Sequence, residues 1–470
     1  MAFTLEEPTE VVMQRIDQYL QENAPRFERD LCDLLRIPSV SADSRCREAI
    51  REAAEWLRTH LTALGLAAEC IATDGCPIVY AQSPPVDGAP TVLVYGHYDV
   101  QPPEPFEQWI SPPFEPTVRD GNVYARGATD DKGQMLTHVH STEAWLKTHG
   151  SLPIQLKFLL EGEEEVGSEA LHALLDRSAE RFACDVIVIS DMPQFGPGQP
   201  AITYGLRGIA YYELRVQAAD SDLHSGTFGG SVPNPIHALA TMLAGLMDQS
   251  GRITVPCFYD DVVPMTEDER ARFAQLPFDQ QKFLAQLGLD TTSGEVGYST
   301  LERRWSRPSF DINGIWGGYQ GEGSKTVLPA AAGAKFSFRL VPHQDGDKIT
   351  SGLKQQLAAL CPPGIRWELI EMHRSPGVLV PPDSPYVMAA ARAIEQGFGC
   401  APVLIREGGS IPIVTALREK LDADPLLLGW GQDDDNMHAP NEKFSLADFH
   451  RGIRASAHLW HELGRLGPAA

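Results

Sequence analysis

Two histidines and a set of carboxylates fall where short apolar runs of this sequence end. His97 and Asp99 follow TVLVYG, the glutamates Glu161, Glu163, Glu164 and Glu165 follow or close IQLKFLL, Asp191 follows VIVIS, and His438 follows LLLGWGQDDDN. Asp130 and Asp131 stand in RGATDDKG. Singly, each has a bland reading: a stretch such as EGEEEVG is most often a solvated loop or a helix amino terminus. Jointly, two imidazoles with three or four carboxylates form the donor set that Zn²⁺ or Mn²⁺ accepts. Five such ligands exceed what one catalytic zinc with an open position uses, so a pair of ions sharing a carboxylate is the better reading. His97 and Asp99 are two apart, which in extended backbone points both side chains the same way. Asp99 can then steady the imidazole, the alternative being a turn residue that caps its own backbone.

These residues need a frame that brings them together. In a parallel sheet, functional groups project from the loops at the carboxyl ends of the strands. The nearly continuous apolar runs Thr91 to Tyr95, Ile154 to Leu160, Val186 to Ile189 and Leu426 to Leu428 suit strands covered on both faces. Helical spacing marks Glu10 to Leu35 and Arg47 to Leu64, with Gly65 as a stop. A short strand at Asn122 to Ala125 and a helix from Gln134 flank the Asp130 loop. Between Tyr204 and about Pro382 the pattern changes to alternating strands such as Tyr211 to Val216, with helices at His237 to Met247 and Lys348 to Ala359. The expected fold is α/β: a three-layer catalytic domain from residues 1–205 and 384–470, with a smaller α+β domain inserted at 206–383. In the insert, AKFSFRLVP alternates, placing Arg339 on the polar face of a strand, where a guanidinium can fork onto a carboxylate; a plain exposed strand charge is the alternative.

The chain has 470 residues and a formal charge of -24, which repels nucleic acid and anionic membrane. No apolar run approaches membrane-spanning length, and MAFTLEEPTE shows neither the basic nor the apolar region of a secretory signal. The eight cysteines are scattered without a CxxC pair, as in a protein with reduced thiols. A cytoplasmic location is the expectation.

The segments YGHYDVQPP, RGATDDKG, EGEEEVGS, ISDMPQF, DLHSGTFGG, KTVLPA, FSFRLVP, REGGSIPI and HAPNEKF, in this order, resemble the carnosinase and cytosolic non-specific dipeptidase branch of the aminoacylase-type di-metal peptidases. The resemblance implies two ions per subunit, Zn²⁺ or Mn²⁺ with Co²⁺ as a further option. It implies that Asp130 bridges them, that His97 and Asp191 complete one site, and that Glu165 and His438 complete the other. The adjacent glutamates leave a register question, and anchoring on Gly167 and Ser168 selects Glu164 as general base and Glu165 as ligand. The Asp130–Asp131 peptide is implied to be cis, and Asp99 to act beside His97. Arg339 would take a dipeptide's terminal carboxylate, helped by Thr326 and the Gly409 and Ser410 turn. The insert would be a lid and dimerisation domain, whose His224 stabilises the oxyanion and reaches the neighbouring active site of a homodimer.

The sequence departs from several relatives at Val166, where they carry serine, and at Ala439 and Pro440, where the pair is more polar. Two rival readings stand beside the dipeptidase: an N-acyl-amino-acid deacylase of the same superfamily, which commonly has methionine where Asp131 sits, and a non-catalytic peptide-binding protein. His138 and His140 have no partner motif and are read as structural or surface residues.

Overall fold

The apolar runs become the centre of a sheet because each is too short for a helix and apolar on both of its faces. The computed structural model describes residues 8–467. Its contacts group into two compact units. Among the described residues, one unit contains 8–204, Val380–Ile405 and 416–467; the other contains Gly205–Leu379 and Arg406–Thr415. The last of these segments lies in the stretch that the sequence reading gave to the catalytic domain.

In the first unit the strands lie in the order Ala67–Ile71, Ile78–Gln82, Gln155–Glu161, Thr91–His97, Val186–Ser190, Pro425–Leu428 and Ala201–Leu206. The middle four run parallel. The flanking pairings are antiparallel, so the sheet is mixed rather than parallel throughout. The connection between Ala67–Ile71 and Ile78–Gln82 is too short for the crossover a parallel pair requires. Every residue of Val186–Ser190 and of Pro425–Leu428 is buried, so both faces of the sheet centre are covered.

The helix Thr9–Leu35 buries Val12, Met13, Ile16, Leu20, Phe27, Leu31, Leu34 and Leu35, one stripe at helical spacing. The helix Arg47–Ala63 stops before Gly65, whose φ of +92° only glycine adopts without strain. Lys132–His149 has no such stripe, because every residue from Lys132 to Trp145 is buried. The Lys132 ammonium donates to the Leu34 and Ile37 carbonyls at 3.1 and 2.8 Å, and burial lowers its pKa to about 7. A charged residue in the interior defeats amphipathic reading, which is why sequence pattern starts this helix at Gln134.

The second unit is built on a four-stranded antiparallel sheet in the order Ser309–Gly317, Ala331–Leu340, Gly208–Gln217 and Arg366–Ser375. Helices Pro235–Ala244 and Gly346–Leu360, capped by Asn234 and Asp345, supply Leu239, Met242, Leu353 and Leu357 to a core with Tyr212, Phe336 and Phe338. Among the described residues no helix is long and apolar enough to cross a membrane, and all eight cysteines are unpaired.

Candidate metal centre

The parallel strands deliver their last residues to one rim of the first unit. His97 ends its strand fully buried. Its Nδ1 lies 3.2 Å from the carbonyl oxygen of Asp99 and 3.5 Å from that residue's carboxylate. The carbonyl contact requires a proton on Nδ1, so the neutral ring carries its lone pair on Nε2. The Asp99 carboxylate is itself engaged further on, accepting from the backbone N–H of Glu164 and of Glu165, each at 3.2 Å. Asp99 therefore orients the imidazole mainly through its backbone, while its side chain fixes the turn Glu164–Val166.

Asp130 sits between the two histidines. His97 Nε2 is 3.1 Å from its Oδ1, and His438 Nε2 is 2.9 Å from its Oδ2. His97 Nε2 lies 3.9 Å from Asp191, and His438 Nε2 lies 3.4 Å from Glu165. Two triplets result, His97 with Asp130 and Asp191, and Asp130 with Glu165 and His438; in each, one donor atom per residue lies within 4.8 Å of the others. The peptide joining Asp130 to Asp131 is cis. Asp131 Oδ2 accepts the His97 backbone N–H at 3.2 Å, and its buried Oδ1 has no hydrogen-bond partner among the described residues.

Glu165 and His438 are held from behind. Glu165 accepts from the Gln101 amide at 2.7 Å. His438 is presented by a turn in which Asn436, His438 and Asn441 all have φ near +60°, a conformation held by Asn441, which bonds the Ile110 N–H and the Gln108 carbonyl. Glu163 and Glu165 separate cleanly in space. Glu163 accepts from the N–H groups of Cys76 at 2.6 Å and Ala170 at 3.1 Å, while Glu165 faces His438.

One residue that sequence reasoning passed over is Glu442, fully buried four positions after His438. Its carboxylate accepts from Arg126 at 2.8 Å and from the backbone N–H groups of Gly127, Thr129 and Asp130 at 2.8 to 3.2 Å. It thus ties the Asp130 loop to the His438 segment. Its place inside HAPNEKF was the available signal. Burial pushes its carboxyl up to about 7.

The electrostatics are those of a cation site. Burial raises Asp191 and Asp131 well above the usual carboxylate range, with neighbouring carboxylates adding to the effect. Asp130 goes the other way: against burial, its contacts with His438 and His97 hold it below that range. Burial, opposed by His97 and reinforced by Glu165 and Asp130, pushes Glu164 up to about 7. Like charges crowded in a dry site favour anything positive that binds between them. The donor set fits a pair of borderline divalent ions, and one buried atom fits it closely: among the described residues His97 Nε2 has no hydrogen-bond partner although a carboxylate oxygen is 3.1 Å away, as expected for two donors aimed at a third point.

The remaining expected site residues lie in the second unit. Arg339 is half-buried and donates to the Ser410 hydroxyl at 2.9 Å, and that hydroxyl donates to the Arg207 carbonyl at 2.6 Å. The Arg207 guanidinium, which the sequence reading missed, bonds the carbonyls of Gly408 at 3.1 Å and Arg307 at 3.3 Å. Burial, then the charge of Arg339, lowers its pKa to about 10. Gly409 is exposed, with open space where a Cβ would stand. His224 is exposed; its Nδ1 accepts the Gly226 N–H at 3.1 Å, so a neutral ring carries its proton on Nε2. The Thr326 carbonyl accepts from the neighbouring Ser225 N–H at 3.1 Å.

A mixed sheet whose rim carries two imidazole–carboxylate triplets sharing one aspartate defines a metal-dependent hydrolase of the di-metal class. Comparison with known proteins gives the particular family. Residues 93–462 match the model of peptidase family M20/M25/M40. The chain is 32% identical to the Cys-Gly metallodipeptidase dug1 of Schizosaccharomyces pombe, over 97% of this chain and 99% of that protein. It is 34% identical to the human Beta-Ala-His dipeptidase, over 94% and 87% of the two chains. Among solved structures, the M20 family metallo-carboxypeptidase Sso-CP2 from Sulfolobus solfataricus superposes with a TM-score of 0.82 at 32% identity, covering 94% of this chain and 99% of that one. This chain belongs to peptidase family M20/M25/M40.

Proposed function

We propose that this metallopeptidase is a dipeptidase that hydrolyses substrates with a free C-terminal carboxylate. The observation that carries the reading is Asp130, each of whose carboxylate oxygens faces a different histidine. His97, Asp130 and Asp191 would hold one ion and Asp130, Glu165 and His438 the other, with Zn²⁺ or Mn²⁺ best suited to the donors and Co²⁺ a workable substitute. When bound, the ions supply positive charge that acidifies water and polarises the scissile carbonyl.

The chain's own residues do the rest. Glu164, poised near neutrality, takes the proton of the attacking water and returns it to the leaving amine. Asp99 keeps His97 in the tautomer whose Nε2 is unprotonated. Arg339 forks onto the dipeptide's terminal carboxylate, with Thr326 and the Gly409 and Ser410 turn shaping that subsite. In support, it donates to a neutral hydroxyl, which leaves the charge for a ligand. His224 donates from Nε2 to the developing oxyanion, in the neighbouring subunit of a homodimer. The exposed apolar residues Ile312, Ile315 and Trp316 of the strand Ser309–Gly317 suit a dimer contact. The insert at 206–383 then serves as lid and dimerisation domain of a cytoplasmic enzyme.

The relatives named above are by name dipeptidases and a carboxypeptidase, all of them peptide hydrolases; that favours peptide over N-acyl substrates. The test is a panel of dipeptides against N-acetyl amino acids, with protein reconstituted in Zn²⁺, Mn²⁺ or Co²⁺. Amino-acid release from dipeptides alone is the expected outcome. Faster hydrolysis of N-acetyl amino acids overturns the substrate assignment, and a sedimentation mass of one chain overturns the dimer.

A further inference from the structure

Three helices of the first unit bring a second set of ligand-type side chains together, away from the strand ends. Asp30 comes from Thr9–Leu35, His60 from the last turn of Arg47–Ala63, and His140 from the middle of Lys132–His149. One donor atom from each lies within 4.8 Å of the other two. His140 is wholly buried, and neither of its ring nitrogens has a hydrogen-bond partner among the described residues. A core histidine normally satisfies both nitrogens. His138, two residues earlier on the same helix, does so: its Nε2 is 2.7 Å from the Ser190 hydroxyl and its Nδ1 is 3.0 Å from that of Ser456.

The rings are set by stacking, which leaves their nitrogen-bearing edges open. Phe27 stacks on His140 with centroids 4.2 Å apart, and Trp56 on His60 at 4.8 Å. The two imidazoles meet with centroids 5.9 Å apart and planes at 77°. Two imidazoles on one tetrahedral ion, with Zn–N bonds of about 2.1 Å, have centroids about 5 Å apart, so small side-chain shifts close the set. Glu143 adds a carboxylate oxygen 3.8 Å from His140 Nδ1. Arg26 bonds Asp30 at 3.0 Å and also pairs with Glu143, and Tyr19 donates to Glu143 at 2.7 Å, so both carboxylates are already oriented. Burial lowers the pKa of both histidines, keeping the rings in the neutral form that binds metal.

We propose that Asp30, His60 and His140, with Glu143 beside them, form a further site for a borderline divalent ion such as Zn²⁺, structural rather than catalytic. Two imidazoles with one or two carboxylates are ligands such an ion accepts. An ion there ties three helices together, and the third of them begins at Lys132, directly after Asp131. The site therefore braces the segment that presents Asp130 without touching substrate.

The test counts metal. Zn²⁺-loaded protein, freed of loosely held metal by gel filtration, is compared by elemental analysis with His60→Gln and Asp30→Asn. The ion count is expected to fall by one per chain in each variant, with dipeptide turnover within about twofold of the parent and a lower Tm. Retained turnover shows that the loss is not misfolding. In Co²⁺-loaded protein, the parent-minus-variant spectrum should show the visible bands of a four-coordinate nitrogen and oxygen site. An ion count equal in the parent and both variants overturns the proposal, whatever the number at the strand rim.

Discussion

The metal rim of the first unit and the arginine cluster of the second have opposite charge problems. At the rim, Asp130, Asp131, Glu164, Glu165 and Asp191 gather with only His97 and His438 as counter-groups; among the described residues no lysine or arginine pairs with them. In the second unit, Arg207 and Arg339 bond carbonyls and hydroxyls, and among the described residues no carboxylate pairs with either. A buried charge without a partner is costly, so each cluster favours an ion of opposite sign. On the function proposed above, one takes cations and the other an anion. A peptidase acting on a free carboxylate needs both.

The largest expected effect separates the base from the ligands at the acidic rim. Glu164→Gln should reduce turnover by about 10²–10⁴-fold while the metal content stays at the parent level. Loss of metal in this variant would instead make Glu164 a ligand. Glu442→Gln should weaken metal binding by about 10–100-fold, measured by competition with a chelator, because an amide cannot accept all four of the hydrogen bonds that hold the Asp130 loop. At the basic cluster, Arg339→Met should raise KM about tenfold or more with the metal count unaltered, since hydrogen bonds to a charged group contribute about 1.5–3 kcal/mol. A change in kcat alone would place Arg339 outside carboxylate recognition.

A smaller, pH-dependent effect sharpens the contrast between buried histidines that are satisfied and those that are not. Burial lowers the His138 pKa from 6.5 to about 3. The unfolded chain then takes up a proton below about pH 6.5 that the folded one refuses, so this histidine's contribution is intact above 6.5 and is lost as pH falls toward 3. The limiting slope is about 1.4 kcal/mol per pH unit. The stability gap between the parent and His138→Asn, measured by denaturant unfolding, should narrow from pH 7 to pH 4.5. A constant gap would mean that His138 does not resist protonation.

The strands and the rim were legible because apolar runs covered on both faces need no periodicity, and the chemistry sits where they end. The helix beginning at Lys132 was read short because a lysine solvated by two backbone carbonyls looks, in sequence, like a surface residue. Glu442 and Arg207 escaped for the same reason: most of their partners are backbone groups, which carry no sequence signature. The spacing of Asp99 correctly put it beside His97, but not the division of labour between its carbonyl and its carboxylate. His60 and His140 meet only through the packing of helices far apart in the chain.

Sharing of Asp130 by two ions is tested most directly by ion counts per chain in two variants. His438→Ala should release one ion and Asp130→Ala two. If Asp130→Ala loses no more metal than His438→Ala, the carboxylate does not bridge and the di-metal reading of this rim is wrong.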